Sequence, residues 1–216
     1  MSDTVTTWGI ALLLLLLALL LGWRSLRVLW QCRRRNRLIS AYGLARLNNV
    51  VLEDGIGGHK VLEHILLTPD GLLVLLPRHC EGALFGGDNI DSWTQMIGGK
   101  SFQFENPLHQ LEELLATLRY HLKGIPLEGR VLLSGNCLFP KGRPGRLLLL
   151  DEMVREEARV EQAVVPVLQD AWEQLRQQPS AEPVFDDPAY TVSPSRLWLS
   201  ALMLLLSIAW LGWRLG

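Results

Sequence analysis

Two long apolar runs, one near each end of the chain, most constrain what this sequence can fold into. Residues 8–23 and 198–213 contain no charged side chain and very few polar ones. An apolar helix of about 20 residues is long enough to cross the hydrocarbon core of a bilayer. We therefore predict transmembrane helices at residues 5–23 and 197–213, with tryptophans near their ends at the membrane interfaces.

A cluster of arginines directly follows the first apolar run. No basic residue precedes this run, and no acidic residue interrupts the cluster, which consists of Arg24, Arg27, Arg33, Arg34, Arg35 and Arg37. Because positively charged flanks stay on the cytoplasmic side, the cluster predicts a two-pass protein of the cell (inner) membrane with a cytoplasmic central domain. The lipid bilayer is thus a predicted partner, and these arginines are predicted to contact anionic lipids.

The middle of the chain has the opposite charge. Residues 38–195 carry 13 basic and 21 acidic side chains, a balance of −8, which argues against a general polyanion-binding domain. The three cysteines, Cys32, Cys80 and Cys137, are too few and too scattered for a disulfide framework. The predicted domain organisation places a basic juxtamembrane helix, a globular domain and a proline-rich linker between the two apolar helices, at residues 24–39, 40–178 and 179–196.

The globular domain reads as a mixture of strands and helices. A strong turn at residues 68–71 joins two apolar strands into a central hairpin over residues 60–76. Asn106 and Pro107 are typical first residues of a helix, and leucines follow at spacings of three and four up to Gly124. Further strands are predicted at residues 49–53, 130–133 and 146–150, and a second amphipathic helix at 154–178. The order predicts an α/β sandwich, a central mixed sheet flanked by helices.

Several short stretches resemble one known family. The sequence LEHILLTPDGLLV at residues 62–74 is similar to the signature I-D-H-hydrophobic-S-P-x-G-hydrophobic of the NERD, or nuclease-related domain, family. The stretches EGALFG at 81–86 and FENPLHQ at 104–110 agree with it in order and spacing, as does NVVLED at 49–54. The resemblance covers about residues 40–150. It implies a restriction-endonuclease-like fold and a metal-dependent nuclease site.

The residues that the resemblance assigns to this site are only partly suited to it. The family's first acid falls on Glu63, and its E-x-K motif falls on Leu76, Pro77 and Arg78, where the leucine cannot bind a metal and the arginine cannot act as a neutral base. A further acid of the family is replaced by Leu44. The glutamine of FENPLHQ is Gln110. Glu63, Arg78 and Gln110 are thus the predicted vestigial catalytic residues, with Glu63 as metal ligand only in an active enzyme.

Three functions remain open on this basis. The leading one is a membrane-anchored NERD-like domain without nuclease activity, which needs no cofactor and acts as a binding or scaffolding module for an unknown protein partner. The alternative is a divergent nuclease that cleaves DNA or RNA with Mg²⁺, using Glu63, Arg78 and a recruited acid, Asp70 or Glu81. The third is a membrane-assembly subunit in which the central domain is a passive remnant.

Overall fold

The computed structural model describes residues 2–153, 166–181 and 194–215. The chain forms two compact units, residues 1–34 with 187–216, and residues 35–186. In the first unit lie the beginning of helix α1 (Ser2–Tyr42) and helix α5 (Pro194–Leu215). They meet where Gly22 approaches Ser200: a Cβ atom on this glycine would lie 3.7 Å from the serine Oγ. The predicted domain boundaries stay a prediction.

The prediction of two transmembrane helices is wrong. Within the described part of the chain, no helix is long and apolar enough to cross a membrane. The helix that contains the first apolar run continues past Trp23 through the arginine cluster, as a single helix of 41 residues. The second lies in a helix that also includes Arg196 and Arg214. The same finding contradicts the predicted location, that of a two-pass protein of the inner membrane with a cytoplasmic domain.

The second unit is built on a five-stranded sheet. Its strands, in spatial order, are β1 (Ala45–Glu53), β2 (His59–Thr68), β3 (Gly71–His79), β7 (Leu127–Ser134) and β9 (Leu147–Leu149). The first three are antiparallel, and β3, β7 and β9 run parallel. The predicted hairpin is its centre, and the first seven residues of β3 are all buried, as expected of an apolar strand covered on both faces.

A second sheet is the main departure from the predicted single central sheet. It contains β6 (Lys100–Glu105), β5 (Ser92–Ile97), β4 (Gly82–Phe85) and β8 (Cys137–Leu138), in that order. Residues 86–100 are polar and rich in glycine, a composition that predicts a loop or a short hairpin, but β5 lies within them and pairs with β4 and β6. The correct fold class is a mixed α/β domain with two sheets, consistent with a restriction-endonuclease-like domain.

Helices cover both faces of the five-stranded sheet. On one face lies the larger core. The helices α2 (Pro107–His121) and α4 (Pro166–Arg176) contribute Leu115 and Trp172 to it, respectively. On the other, the end of α1 contributes Ile39 to a smaller core, beside the short helix α3 (Leu150–Met153). The predicted helix at 154–178 is thus present from Pro166, and its first part lies outside the described residues.

The outer edge of β1 is covered by residues 179–181. The backbone N–H of Val51 donates to the carbonyl of Pro179 at 2.9 Å, and that of Ala181 donates to the carbonyl of Asn49 at 2.8 Å. This short antiparallel bridge lies in the segment predicted as a linker. It satisfies backbone groups that an edge strand would otherwise expose.

Candidate functional site

The start of α2 is fixed by a buried asparagine. Asn106 is fully buried, and its side-chain Oδ1 accepts a hydrogen bond from the backbone N–H of Leu108 at 2.9 Å, as an N-cap does. Its Nδ2 donates to the carbonyl of Ile90 at 2.7 Å and so ties the helix to the loop before β5. Pro107 follows as the first helical residue. This arrangement places Gln110, one turn later, beside β3.

Glu63, Arg78 and Gln110 come together on three different elements. Arg78 on β3 places its Nη1 atom 3.6 Å from Oε1 of Glu63 on β2. Its Nη2 donates to Oε1 of Gln110 on α2 at 2.5 Å, and its Nη1 donates to the carbonyl of Pro77 at 2.7 Å. The three predicted vestigial site residues are therefore adjacent, with the guanidinium between the carboxylate and the amide.

A cavity of about 430 Å³ opens beside this cluster. Its charged and polar lining residues are Asn49, His59, Lys60, Glu63, Glu105, Gln110 and Glu113. Lys60 Nζ lies 2.7 Å from Oε2 of Glu113, and this contact raises the pKa of the lysine. Two of the cavity's lining carboxylates, those of Glu63 and Glu113, are thus in ion pairs. No sequence pattern indicates the Lys60–Glu113 pair, because β2 and α2 are far apart in the chain.

Asn49 has an unusual backbone conformation at the cavity wall. Its φ is +52°, the left-handed region, which asparagine tolerates better than other non-glycine residues. The ladder between β1 and β2 pairs Asn48 with His64 and Val50 with Leu62, but it skips the position between them, where Asn49 faces Glu63. The regular sheet is thus interrupted next to the predicted site, a form of local strain that often accompanies function.

The residues present do not fit a Mg²⁺ site. Magnesium prefers carboxylate and other oxygen ligands in near-octahedral geometry. Leu76 also lines the cavity, is 1% exposed, and offers no oxygen beyond its backbone. The one carboxylate at the expected position, Glu63, is paired with Arg78. Among the described residues, no group of three or more His, Cys, Asp or Glu side chains is placed to hold a metal ion.

The two acids considered for recruitment lie elsewhere. Asp70 occupies the tight turn between β2 and β3, where Thr68 Oγ1 donates to the carbonyl of Gly71 at 2.9 Å. Glu81 follows β3, and its Oε1 lies 3.3 Å from Nε2 of His79. Neither of these contacts involves Glu63.

The basic loop at residues 141–146 is engaged in intramolecular contacts. Arg143 pairs with Glu152 at 2.6 Å, and Arg146 pairs with Glu112 on α2. Lys141 lies over the ring of Phe85 at 6.0 Å. All three cations of this loop thus have partners within the domain.

In the arginine cluster, Arg27 lies 5.0 Å from the ring of Trp23. The predicted contact of this cluster with anionic lipid stays a prediction.

On the opposite side of β2 lies a buried histidine. His64 is 8% exposed, and its Nδ1 is 2.9 Å from Oδ1 of Asn48, while its Nε2 has no hydrogen-bond partner. Burial, followed by the positive charges of Arg46 and Arg35, lowers the pKa of His64 to about 4. It is therefore neutral at physiological pH, with the proton on Nδ1 where Asn48 can accept it.

Comparison with protein families identifies the domain. The family model for the nuclease-related domain, NERD, matches residues 27–134, half of the chain. The chain belongs to the NERD family. The match ends at Ser134, the last residue of β7, so this NERD domain has α2 and most of both sheets within the matched residues.

A curated relative of this NERD protein is an uncharacterised protein from Bacillus anthracis. It is 33% identical over 64 residues, which cover 30% of each chain. The chain thus matches less than a third of the length of this relative. No solved structure matches the chain.

Proposed function

We propose that this NERD protein is a binding or scaffolding module in which a charge-paired cluster has replaced the nuclease centre. The observation that carries the proposal is the position of Arg78. Its guanidinium lies 3.6 Å from the carboxylate of Glu63, where a nuclease of this family would hold its metal. The positive charge favours the ionised form of Glu63 but competes with a divalent cation for it.

The position of Leu76 supports the same conclusion. A buried leucine at this point removes one of the two carboxylates that would neutralise Mg²⁺. Arg78 also differs from lysine in that it stays protonated throughout the physiological range. At the positions of the family's E-x-K motif, this sequence therefore supplies neither a second carboxylate for the metal nor a lysine that could act as a neutral base.

The charge of the domain weighs against a nucleic-acid ligand. Phosphate contacts by Lys and Arg supply most non-specific affinity for nucleic acids. The domain is acidic, and both arginines of its basic loop are ion-paired with Glu152 and Glu112. A protein partner accounts better for these surfaces.

Metal binding by the full-length chain tests the proposal. We expect titration calorimetry with Mn²⁺ to show no binding at Glu63 in the parent protein. The double variant Leu76→Glu, Arg78→Lys restores the family's E-x-K motif and should bind Mn²⁺ measurably. The matched control Leu76→Gln, Arg78→Lys has the same size and polarity but lacks the new charge, and should not bind.

Cleavage of labelled DNA and RNA in the presence of Mg²⁺ or Mn²⁺ completes the test. The parent protein should be inactive on both. Tight Mn²⁺ binding by the parent that is lost in Glu63→Ala, together with cleavage, would overturn the proposal and establish a divergent metal-dependent nuclease. The variant Arg78→Gln leaves the core unchanged and separates the effect of the guanidinium from any loss of folding in the Leu76 variants.

A further inference from the structure

Two cysteines lie where the chain passes from one sheet to the other. Cys80 connects β3 of the first sheet with β4 of the second, and Cys137 begins β8, shortly after β7 of the first sheet. These two connections run side by side. The N–H of Cys80 donates to the carbonyl of Ser134 at 2.9 Å, and that of Gly82 donates to Asn136 at 3.0 Å.

The register brings the two cysteines close together at the start of this parallel pair. Cys137 is the ladder partner of Gly82, two residues after Cys80, so the two cysteines are diagonal neighbours. Cys137 Sγ lies 3.3 Å from the backbone oxygen of Cys80, within donor distance.

Gly135 makes this approach sterically feasible. Its φ is +100°, a conformation that side chains rarely adopt, and a Cβ atom there would collide with the backbone oxygen of Cys80. The turn between β7 and β8 can therefore lie directly against the end of β3. The close contact of the two cysteines depends on this glycine.

We propose that Cys80 and Cys137 are an oxidation site at which a hydroperoxide converts the two thiols into a reversible disulfide. The bond joins the two connections between the sheets and closes a loop that includes α2 and most of the second sheet. The site is independent of the proposed binding function, because neither thiol lines the cavity beside Glu63.

The chemistry follows from the close contact of the two cysteines. The neighbouring Cys137 side chain lowers the pKa of Cys80, whereas the same interaction and burial raise the pKa of Cys137. Cys80 is therefore the first nucleophile. Its thiolate attacks one oxygen of hydrogen peroxide, an S–O bond forms, the O–O bond breaks, and the departing hydroxide takes up a proton to become water.

Cys137 then completes the reaction. Its sulfur attacks the sulfenic acid of Cys80, the S–S bond forms, and the S–O bond breaks with loss of a second water that carries the proton of Cys137. In total, two thiols and one peroxide give one disulfide and two waters. A small dithiol reductant reverses the step.

Access for the peroxide comes from the weak pairing of β8. Cys80 is 3% exposed, but Cys137, which covers it, is only half-buried. β8 contains two residues, pairs only with β4 and forms the edge of its sheet, and its second residue, Leu138, is 66% exposed. Such a short edge strand opens locally at low free-energy cost.

Oxidation of the full-length protein with hydrogen peroxide tests the site. A Cys32→Ser background leaves only the two proposed thiols. We expect loss of two hydrogen masses in the intact monomer, loss of both titratable thiols, and a peptide linking Cys80 to Cys137 in a non-reducing digest. Dithiothreitol should reverse all three changes.

Thermal unfolding provides a second measurement. The disulfide should raise Tm by about 5–15 °C, because it restricts the unfolded chain over a long loop. Cys137→Ser in the same background should show neither the link nor the shift. Oxidation to sulfenic or sulfinic acid without a Cys80–Cys137 link, or covalent dimers in place of the internal bond, would overturn the proposal. The linked peptide is read in protein with both cysteines intact, so it does not depend on how the serine variant folds.

Discussion

The guanidinium of Arg78 lies 3.6 Å from the carboxylate of Glu63, and each side chain is 29% exposed. This partial exposure places the pair between a surface ion pair and a buried one. The guanidinium also donates to the side chain of Gln110 and to the carbonyl of Pro77, and these two hydrogen bonds hold it in one orientation. The pair is thus ordered, but its contribution to stability is modest.

A double-mutant cycle with Glu63→Gln and Arg78→Met should measure this contribution. We expect a coupling free energy of about 0.5–1 kcal/mol from urea unfolding at low ionic strength. The coupling should shrink in high salt, because water still screens the pair. A coupling that is zero at low salt, or that grows with salt, would contradict the charge pairing described here.

Protonation of His64 should make the fold sensitive to acid. Its pKa is lowered to about 4 in the folded protein by burial and by Arg46 and Arg35, against about 6.5 in the unfolded chain. Between these values the unfolded state binds the proton and the folded state does not, so stability falls as pH falls from about 6.5 towards 4. We expect this histidine to remove about 2 kcal/mol between pH 7 and pH 5.

The measurement is urea unfolding at both pH values for the parent and for His64→Gln. Other groups titrate equally in both proteins, so the difference between the two pH profiles isolates the histidine. Identical profiles would show that the ring is not held neutral in the fold.

Close packing between α2 and β7 gives a prediction for Leu115 and Gly129. Leu115 is fully buried, so Leu115→Ala should cost about 2–5 kcal/mol. A Cβ atom on Gly129 would lie 2.7 Å from Cδ1 of Leu115, so Gly129→Ala alone should cost about 1–3 kcal/mol. In the Leu115→Ala background the shortest of these contacts is removed and the contact with Cδ1 of Leu111 at 3.0 Å remains, so Gly129→Ala should cost less than it does alone.

Thermal or urea unfolding of the two single variants and the double variant checks this pair. The matched control is Ala116→Gln on the exposed side of α2, which should change stability by only a few tenths of a kcal/mol. Glu112 is unsuitable as a control, because it pairs with Arg146 and Arg119. Additive costs in the double variant would show that Leu115 and Gly129 are not in contact.

The left-handed backbone of Asn49 predicts an unusual order of substitutions. Asn49→Gly should be neutral or slightly stabilising, because glycine adopts φ of +52° without steric cost. Asn49→Ala should cost about 1 kcal/mol and Asn49→Val more, since a β-branched residue fits this region worst. Unfolding free energies decide the order. A glycine variant less stable than the alanine variant would mean that the amide side chain, and not the backbone, is what matters here.

The sequence was most informative where local chemistry decides the structure. The turn from Thr68 to Gly71 and the Asn106–Pro107 cap each have a short-range physical cause, and both the hairpin and α2 formed as expected. The adjacency of Glu63, Arg78 and Gln110 came from the family resemblance. The second sheet was missed because all six residues of β6 are exposed, so the alternation of Phe102 and Phe104 with polar residues does not mark a buried face.

Other features depend on contacts that sequence patterns do not encode. Lys60 and Glu113 are 53 positions apart, and nothing in the residues around either one indicates the pair. The first apolar run and the arginine cluster form one continuous helix that extends to Tyr42, although the composition changes at Trp23. The change from leucine to arginine does not interrupt the helix, since both residues are good helix formers.

The bridge between β1 and residues 179–181 has a consequence for the order of events during synthesis. The carbonyl of Asn49 is held by the N–H of Ala181, a residue 132 positions later in the chain. A ribosome will have made β1, β2 and β3 long before this partner emerges, and contacts over such separations form slowly. The nascent domain therefore passes through a stage in which the outer edge of β1, beside the cavity, is still unpaired, and residues 179–181 cover this edge once they have been made.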